Sequence, residues 1–311
     1  MRRRLRLCAR PRFARTNLGR AKIPEGARFA VAGIVSPTRL AAVRVHVISD
    51  MEGVAGIVKW EQTTGGESLY EEGRKLYTEE INAAVRGAKA AGATEIVAMD
   101  CHGAGKGWTF NSLIHGDLDP ACEYVVQNEW TEYTEFLEQG CDAALFVGMH
   151  ARAGTQDGVM NHTISGRDFQ NLWFNDTLVG ETGINAALCG TWGCPVLMVT
   201  GDEASCREGT ELLGGGLTTV AVKRGFGSSG ARIIPPVRAR ELIEEGAKRA
   251  LSDLSAVAPW DPGQPSEIRA EYKNTTAPDQ LRFRAGVERV DDRTIVSRAD
   301  TWWEAWKQFY F

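Results

Sequence analysis

From residue 42 onward the chain is organised by short, unbroken apolar runs separated by segments long enough to be helices. The runs are residues 43–49, 94–99 (TEIVAM), 143–147 (AALFV), 195–200 (PVLMVT) and 217–222. A run that is apolar throughout, rather than at alternate positions, predicts a strand buried on both faces, as in a parallel sheet. The segments 69–91, 130–138, 180–191, 203–213 and 239–251 read as helices; the first two stop at Gly92 and Gly140. This alternation predicts an α/β fold, with a mostly parallel sheet covered by helices on both faces. A glycine-rich connection holds two expected short strands, 159–165 and 171–174. The last 50 or so residues predict a mixed α+β C-terminal portion, with strands at 267–272 and 294–297 and a terminal helix. Either one domain runs to the end or a smaller subdomain begins near Ile233.

The formal net charge of −4 hides two unlike segments. Residues 1–44 hold 12 Lys and Arg against one acid, Glu25, while the rest holds 24 basic and 39 acidic residues. Residues 1–42 therefore read as a basic, disordered extension, with 43–311 as the domain. The extension has three readings: a nucleic-acid-binding arm, a targeting peptide, or a dispensable addition. The third is preferred, because the apolar run at 29–35 is short and follows a long charged stretch. No run of eighteen apolar residues predicts a membrane span. Seven scattered cysteines without a CxxC argue against a disulfide framework and favour a reducing cytoplasm.

Ligands of open parallel sheets bind at the carboxyl ends of the strands. The first strand ends in Asp50-Met51-Glu52, the second in Asp100-Cys101-His102 and the third in Gly148-Met149-His150. Singly, each acid reads as a cap or turn residue and each histidine as a hydrogen-bonded boundary residue. Their arrival from three strands at one rim outweighs those readings. Oxygen and imidazole donors in this mixture suit zinc or manganese, and four or five of them suit two ions. His162 lies in the glycine-rich connection that follows. Glu181 lies in the first turn of a helix, where the dipole favours an anion. Cys101 beside His102 reads as a packed thiol, Asp202 and Glu203 as helix-capping residues, and His46 and His115 as structural. The aromatic cluster Trp302, Trp303, Trp306, Phe309, Tyr310 and Phe311 predicts core packing or a subunit interface.

Seven segments, in order, resemble the D-aminopeptidase family of dinuclear zinc peptidases: SDMEG (49–53), YEEGRKLYTEE (70–80), DCHG (100–103), GMHARAGT (148–155), GVMNHT (158–163), NDTLVGETGIN (175–185) and PVLMVTGDE (195–203). The resemblance covers residue 43 to the C-terminus and leaves the basic extension outside. It implies that Asp50, Glu52, His102, His150 and Glu181 bind two zinc ions per subunit, with manganese or cobalt as substitutes. Asp50 would bridge the ions, Glu52 and Glu181 would complete one site, and the two histidines the other. His162 matches the family's catalytic histidine, as acid/base or nucleophile. Asp100 would orient His102 or cap the turn. Ser49 and Asn161 depart from the family pattern without touching a donor atom.

The resemblance implies an aminopeptidase for short peptides with an N-terminal D-residue, D-alanine expected. It would work in the cytoplasm as a ring-shaped homo-oligomer, without nucleic acid or membrane partners. Three rivals remain: hydrolysis of another amide or ester at the same site, a nucleic-acid-binding protein using the arginine-rich arm, and a catalytically silent metal scaffold. The acidic body weighs against the nucleic-acid reading.

Overall fold

The structure, a computed structural model, describes residues 42–129, 131 and 133–310. The expectations for residues 1–41 (basic arm, targeting peptide, Cys8) and for Phe311 fall outside the described residues.

Arg44–Ser49 (β1) is followed by the short helix Trp60–Thr63 (α1) and the long helix Tyr70–Ala90 (α2). Glu95–Asp100 (β2), Glu123–Val125 (β3), the short helix Glu135–Glu138 (α3) and Ala143–Met149 (β4) come next. Phe169–Phe174 (β5) and Thr177–Val179 (β6) form a hairpin that leads into helix Glu181–Thr191 (α4). Val196–Asp202 (β7), Glu203–Leu213 (α5), Thr218–Gly225 (β8), Ala231–Ile233 (β9) and Pro236–Ala250 (α6) follow. Ser266–Tyr272 (β10), Thr276–Leu281 (α7), Val287–Arg289 (β11), Thr294–Ala299 (β12) and Trp302–Tyr310 (α8) complete the described chain.

The main sheet has the order β3-β2-β1-β4-β7-β8-β9, parallel throughout except for β9. The five strands read from the apolar runs are its core, and every residue of β4 and β7 is buried. Helices α2 and α6 pack on each other, α2 over β1, β2 and β4 and α6 over β7 and β8. Close approach requires glycine there: a Cβ on Gly87 would lie 2.3 Å from the Glu244 carbonyl oxygen. A separate pair, α4 and α5, packs on β4, β7 and β8. Two helical layers on shared strands place the sheet between them.

A second, antiparallel sheet has the order β11-β12-β10-β5-β6, drawing strands from both sides of Ile233. Helix α8 lies on β10 and β12 and contacts α4. Its Trp302, Trp306 and Phe309 are buried, and the Trp302 and Trp306 rings stack with centroids 5.5 Å apart. These aromatics therefore serve core packing. Residues 159–165, expected as a strand, form turns instead. Met160 and Ile164 have φ of 52° and 59°, which no strand tolerates. Among the described residues of the expected helix 130–138, only Glu135–Glu138 is helical.

In the main sheet β1 is the point where the chain reverses direction across the strand order: β2 and β3 build to one side, β4, β7 and β8 to the other. The crevice beyond the carboxyl ends of β1 and β4 is the topological switch point, where ligands of such sheets bind. Glycines let the two strand ends interlock there. Gly148 has φ of 73°, and a Cβ on it would lie 2.1 Å from the Asp50 carbonyl oxygen. The Gly53 N–H donates to the Gly148 carbonyl at 2.8 Å and the Asp50 N–H to that of Val147 at 2.8 Å.

Candidate metal centre

All five carboxylate and imidazole residues expected as ligands meet in this crevice. Asp50, Glu52, His102 and His150 are buried, and Glu181 joins them from the first turn of α4. His102 Nδ1 lies 3.2 Å from Asp50 Oδ1 and 3.1 Å from Glu52 Oε2. His150 Nε2 lies 3.2 Å from Asp50 Oδ2 and 3.3 Å from Glu181 Oε1. The far nitrogen of each ring faces a carbonyl, which can only accept. His102 Nε2 donates to Thr63 O at 2.8 Å, and His150 Nδ1 donates to Ala151 O at 2.9 Å. Both near nitrogens, when the rings are neutral, thus present lone pairs to carboxylate oxygens. Asp50 Oδ2, Glu52 Oε2 and His150 Nε2 are buried without a hydrogen-bond partner.

Lone pairs converging on one another in a buried site are tolerated only around positive charge. The residues' own titration carries the same message. Burial would lower the pKa of His102 and His150, but the carboxylates of Glu52 and Asp50, and of Glu181 and Asp50, push both well above the ordinary value. Burial would raise Glu52 and Glu181, yet His102 and His150 respectively hold them below the usual carboxylate range. A metal ion replaces such protons, because ligating imidazole must be neutral and carboxylate ionised. The donor set fits dications: three carboxylates supply the compensating negative charge, and two oriented neutral imidazoles add lone pairs.

The distances group Asp50, Glu52 and His102 on one side, and His150, Glu181 and His162 on the other. The division implied by the resemblance joined Glu52 with Glu181 and paired the two histidines, whereas these proximities set each histidine beside its own carboxylates. Asp50 turns one oxygen to each imidazole, the disposition of a bridging ligand. The physical reason is the strand order: β1 lies between β2 and β4, so the acids of β1 separate His102 from His150.

His162 stacks on His150 with centroids 4.0 Å apart and an interplanar angle of 10°. Its Nδ1 donates to Met160 O at 2.9 Å, and its Nε2 lies 3.8 Å from Glu181 Oε1. Trp60 stands edge-on to the ring at 5.4 Å. The loop that carries His162 is pinned at both ends. Asp202 caps α5 through Ser205 N and also accepts from Val159 N, each at 2.7 Å, and Glu181 Oε1 accepts from Ile164 N at 2.8 Å. Asn161 ties Gly154 N to Gly158 O within the same loop.

Asp100 does not reach the His102 ring. It accepts from the His102 N–H and the Tyr77 hydroxyl, each at 3.0 Å, and from the Ser112 N–H. It fixes the backbone turn after β2, the capping alternative of the two. Ser49 lies 2.7 Å from the Tyr77 hydroxyl, so the departure from the family pattern joins this network. Cys101 lies in an apolar wall, and burial drives its thiol pKa well above the ordinary value. The six described cysteines are free thiols.

Lys223, on β8, was not singled out from the sequence. Its buried ammonium donates to the carbonyls of Glu52, Val54 (2.9 Å) and Ile57 (2.6 Å). Three donors meet three acceptors, which fastens the loop carrying Glu52. Burial lowers its pKa to about 8. The available signal was weak, since Lys223 follows the apolar run 217–222 directly and is itself followed by Arg224. Glu80 of α2 accepts from the Ala55 N–H of the same loop at 2.9 Å.

The centre opens into a cleft of about 720 Å³, lined by Asp50, Glu52, His102, Trp60, His162 and Arg167 among others. Beside Glu181 a smaller, mainly apolar cavity of about 80 Å³ is walled by Cys101, Ile164, Ile184, Trp302 and Trp306. No described helix is long and apolar enough to cross a membrane.

The family model described as D-aminopeptidase matches residues 43–311. The D-aminopeptidase of Bacillus subtilis (strain 168) is 31% identical over 255 residues, covering 82% of this chain and 90% of that protein. A solved structure, described as the Zn-dependent D-aminopeptidase DppA from Bacillus subtilis, a self-compartmentalizing protease, matches with a TM-score of 0.78 at 30% identity. That match covers 85% of this chain and 94% of the other.

Proposed function

This chain belongs to the D-aminopeptidase family, and we propose that it is a dinuclear zinc aminopeptidase cutting short peptides with an N-terminal D-residue, D-alanine foremost. The observation that carries the reading is the convergence of five buried donors with their lone pairs facing one another. Asp50, Glu52 and His102 would hold one ion, and Asp50, His150 and Glu181 the other. When bound, the pair supplies a Lewis acid for the scissile carbonyl and a water acidified to near neutrality.

The chain's own residues do the rest. Thr63 O and Ala151 O fix the tautomers of His102 and His150, so that each imidazole offers its lone pair to the centre. Met160 O does the same for His162, leaving Nε2 toward Glu181 and the cleft. At that atom His162 takes a proton from the attacking water and returns it to the leaving amine. Stacking against His150 keeps the ring in place between these events. The apolar cavity beside Glu181 supports a small side chain next to the centre. A homo-oligomeric ring and a cytoplasmic setting belong to this proposal; the former draws support from the self-compartmentalizing relative.

The test is hydrolysis of D-Ala-D-Ala and L-Ala-L-Ala by zinc-loaded protein, with His162→Ala beside it. The expected result is cleavage of the D-isomer only, lost in the variant with its zinc retained. Equal cleavage of both isomers overturns the D-specific reading. Inertness toward both, with turnover of another amide or ester, overturns the peptidase reading.

A further inference from the structure

We propose that Arg167 is the residue that recognises the free carboxylate of the substrate, and so restricts the enzyme to very short peptides. The inference rests on the aminopeptidase reading above and deepens it. Arg167 is exposed and lines the same cleft as Asp50, Glu52, His102 and His162. It is the only lysine or arginine among the residues lining that cleft. Two other lysines are committed elsewhere: Lys106 lies 2.5 Å from Glu67, and Lys223 is sealed under the loop. Among the described residues no carboxylate pairs with Arg167, although the body of the chain has 39 acids to 24 bases beyond residue 44. An arginine left unpaired in an acidic protein, facing a catalytic cleft, is available to an anionic ligand.

The loop that presents it is built for a fixed position. Ser165 Oγ donates to Asp168 Oδ2 at 2.7 Å, and the N–H groups of Asp168 and Phe169 return to Ser165 O at 3.1 and 3.0 Å. Lys273 clamps the Gly166 carbonyl at 2.7 Å. Gly166 faces His162, since a Cβ built on it would lie 3.6 Å from His162 Cβ. Arg167 thus follows directly on the residue that faces His162.

Chain length sets what such a group can read. An extended peptide advances about 3.3–3.6 Å per residue, so the carboxylate of a dipeptide falls about one residue beyond the scissile carbonyl. A guanidinium lining the cleft is available to a carboxylate there, whereas a longer peptide places an uncharged amide at that point. Bidentate pairing with a carboxylate uses the planar fork that lysine lacks.

The experiment compares D-Ala-D-Ala with its C-terminal amide in the zinc-loaded full chain, for the wild type, Arg167→Gln and Arg167→Lys. The readout is the ratio of kcat/KM for acid over amide. It is internal to each protein, so a reduced folded fraction leaves it unaltered. In the wild type the ratio is expected to be about tenfold or more, carried mainly in KM. In Arg167→Gln it falls to near one, and Arg167→Lys recovers part of it. A wild-type ratio near one, or an unchanged ratio in Arg167→Gln, overturns the role of Arg167 alone. A wild type that cleaves neither compound overturns the aminopeptidase reading, and this inference with it.

Discussion

Replacing Lys223 by methionine keeps the length and apolar stem of the side chain but removes the ammonium from the loop that carries Glu52. The carbonyls of Glu52, Val54 and Ile57 then lose their shared donor in a buried site. An unsatisfied buried acceptor costs about 1–3 kcal/mol. Methionine spares the desolvation of the ammonium, which offsets part of that cost, so a net loss of about 3 kcal/mol is expected. The second consequence falls on the metal. Glu52 is held in place by this loop, and loss of such outer support typically weakens metal binding by about 10–100-fold. Denaturant unfolding and zinc titration against a competing chelator measure the two effects. Lys223→Arg should fail as well, because a planar fork cannot meet three carbonyls converging on one point. Zinc affinity within about threefold of the wild type in Lys223→Met would refute the proposed positioning role.

Three other outcomes follow from the same geometry. Burial raises the Glu80 pKa from 4.5 to about 7, so its contribution to stability is full below pH 4.5 and disappears as pH rises through 7. Glu80→Gln should therefore gain on the wild type by about 3 kcal/mol between those limits in urea unfolding; a constant difference would contradict this. Metal-free protein relies on protons at His102 and His150, whose pKa values are raised, so that support fades as pH climbs past them. The gap in Tm between zinc-loaded and chelated protein should accordingly widen from pH 6 to pH 9, and a gap that narrows is the opposing result. Gly148→Ala must move either the Asp50 carbonyl or the strand end, and should lose about 3 kcal/mol or more together with zinc affinity; a stable, zinc-tight variant would show that the interlock is not needed.

Much of the site was legible because it follows from topology. Strands apolar at every position imply a parallel sheet, and its carboxyl rim implies a place to look. Asp50, Glu52, His102 and His150 stand at three such ends, and Glu181 at a helix start. What escaped depends on contacts distant in sequence. The grouping of ligands followed from the spatial order of β2, β1 and β4, which no local pattern records. Lys223 acts 166 to 171 residues away from the carbonyls it holds. The segment 159–165 has strand-like composition, but Asp202 and Glu181 bind its N–H groups and fold it into turns. The second sheet was visible only as scattered strands, because its pairing joins β5 to β10 across about 100 residues.

In the proposed centre Asp50 serves two ions at once while each histidine serves one. Zinc counted per chain in the wild type, Asp50→Asn and His102→Ala, after equilibration with excess zinc and removal of what is loosely held, tests this most directly. Two ions in the wild type, one in His102→Ala and none in Asp50→Asn is the predicted series. A single ion in the wild type, or two retained in Asp50→Asn, would contradict it.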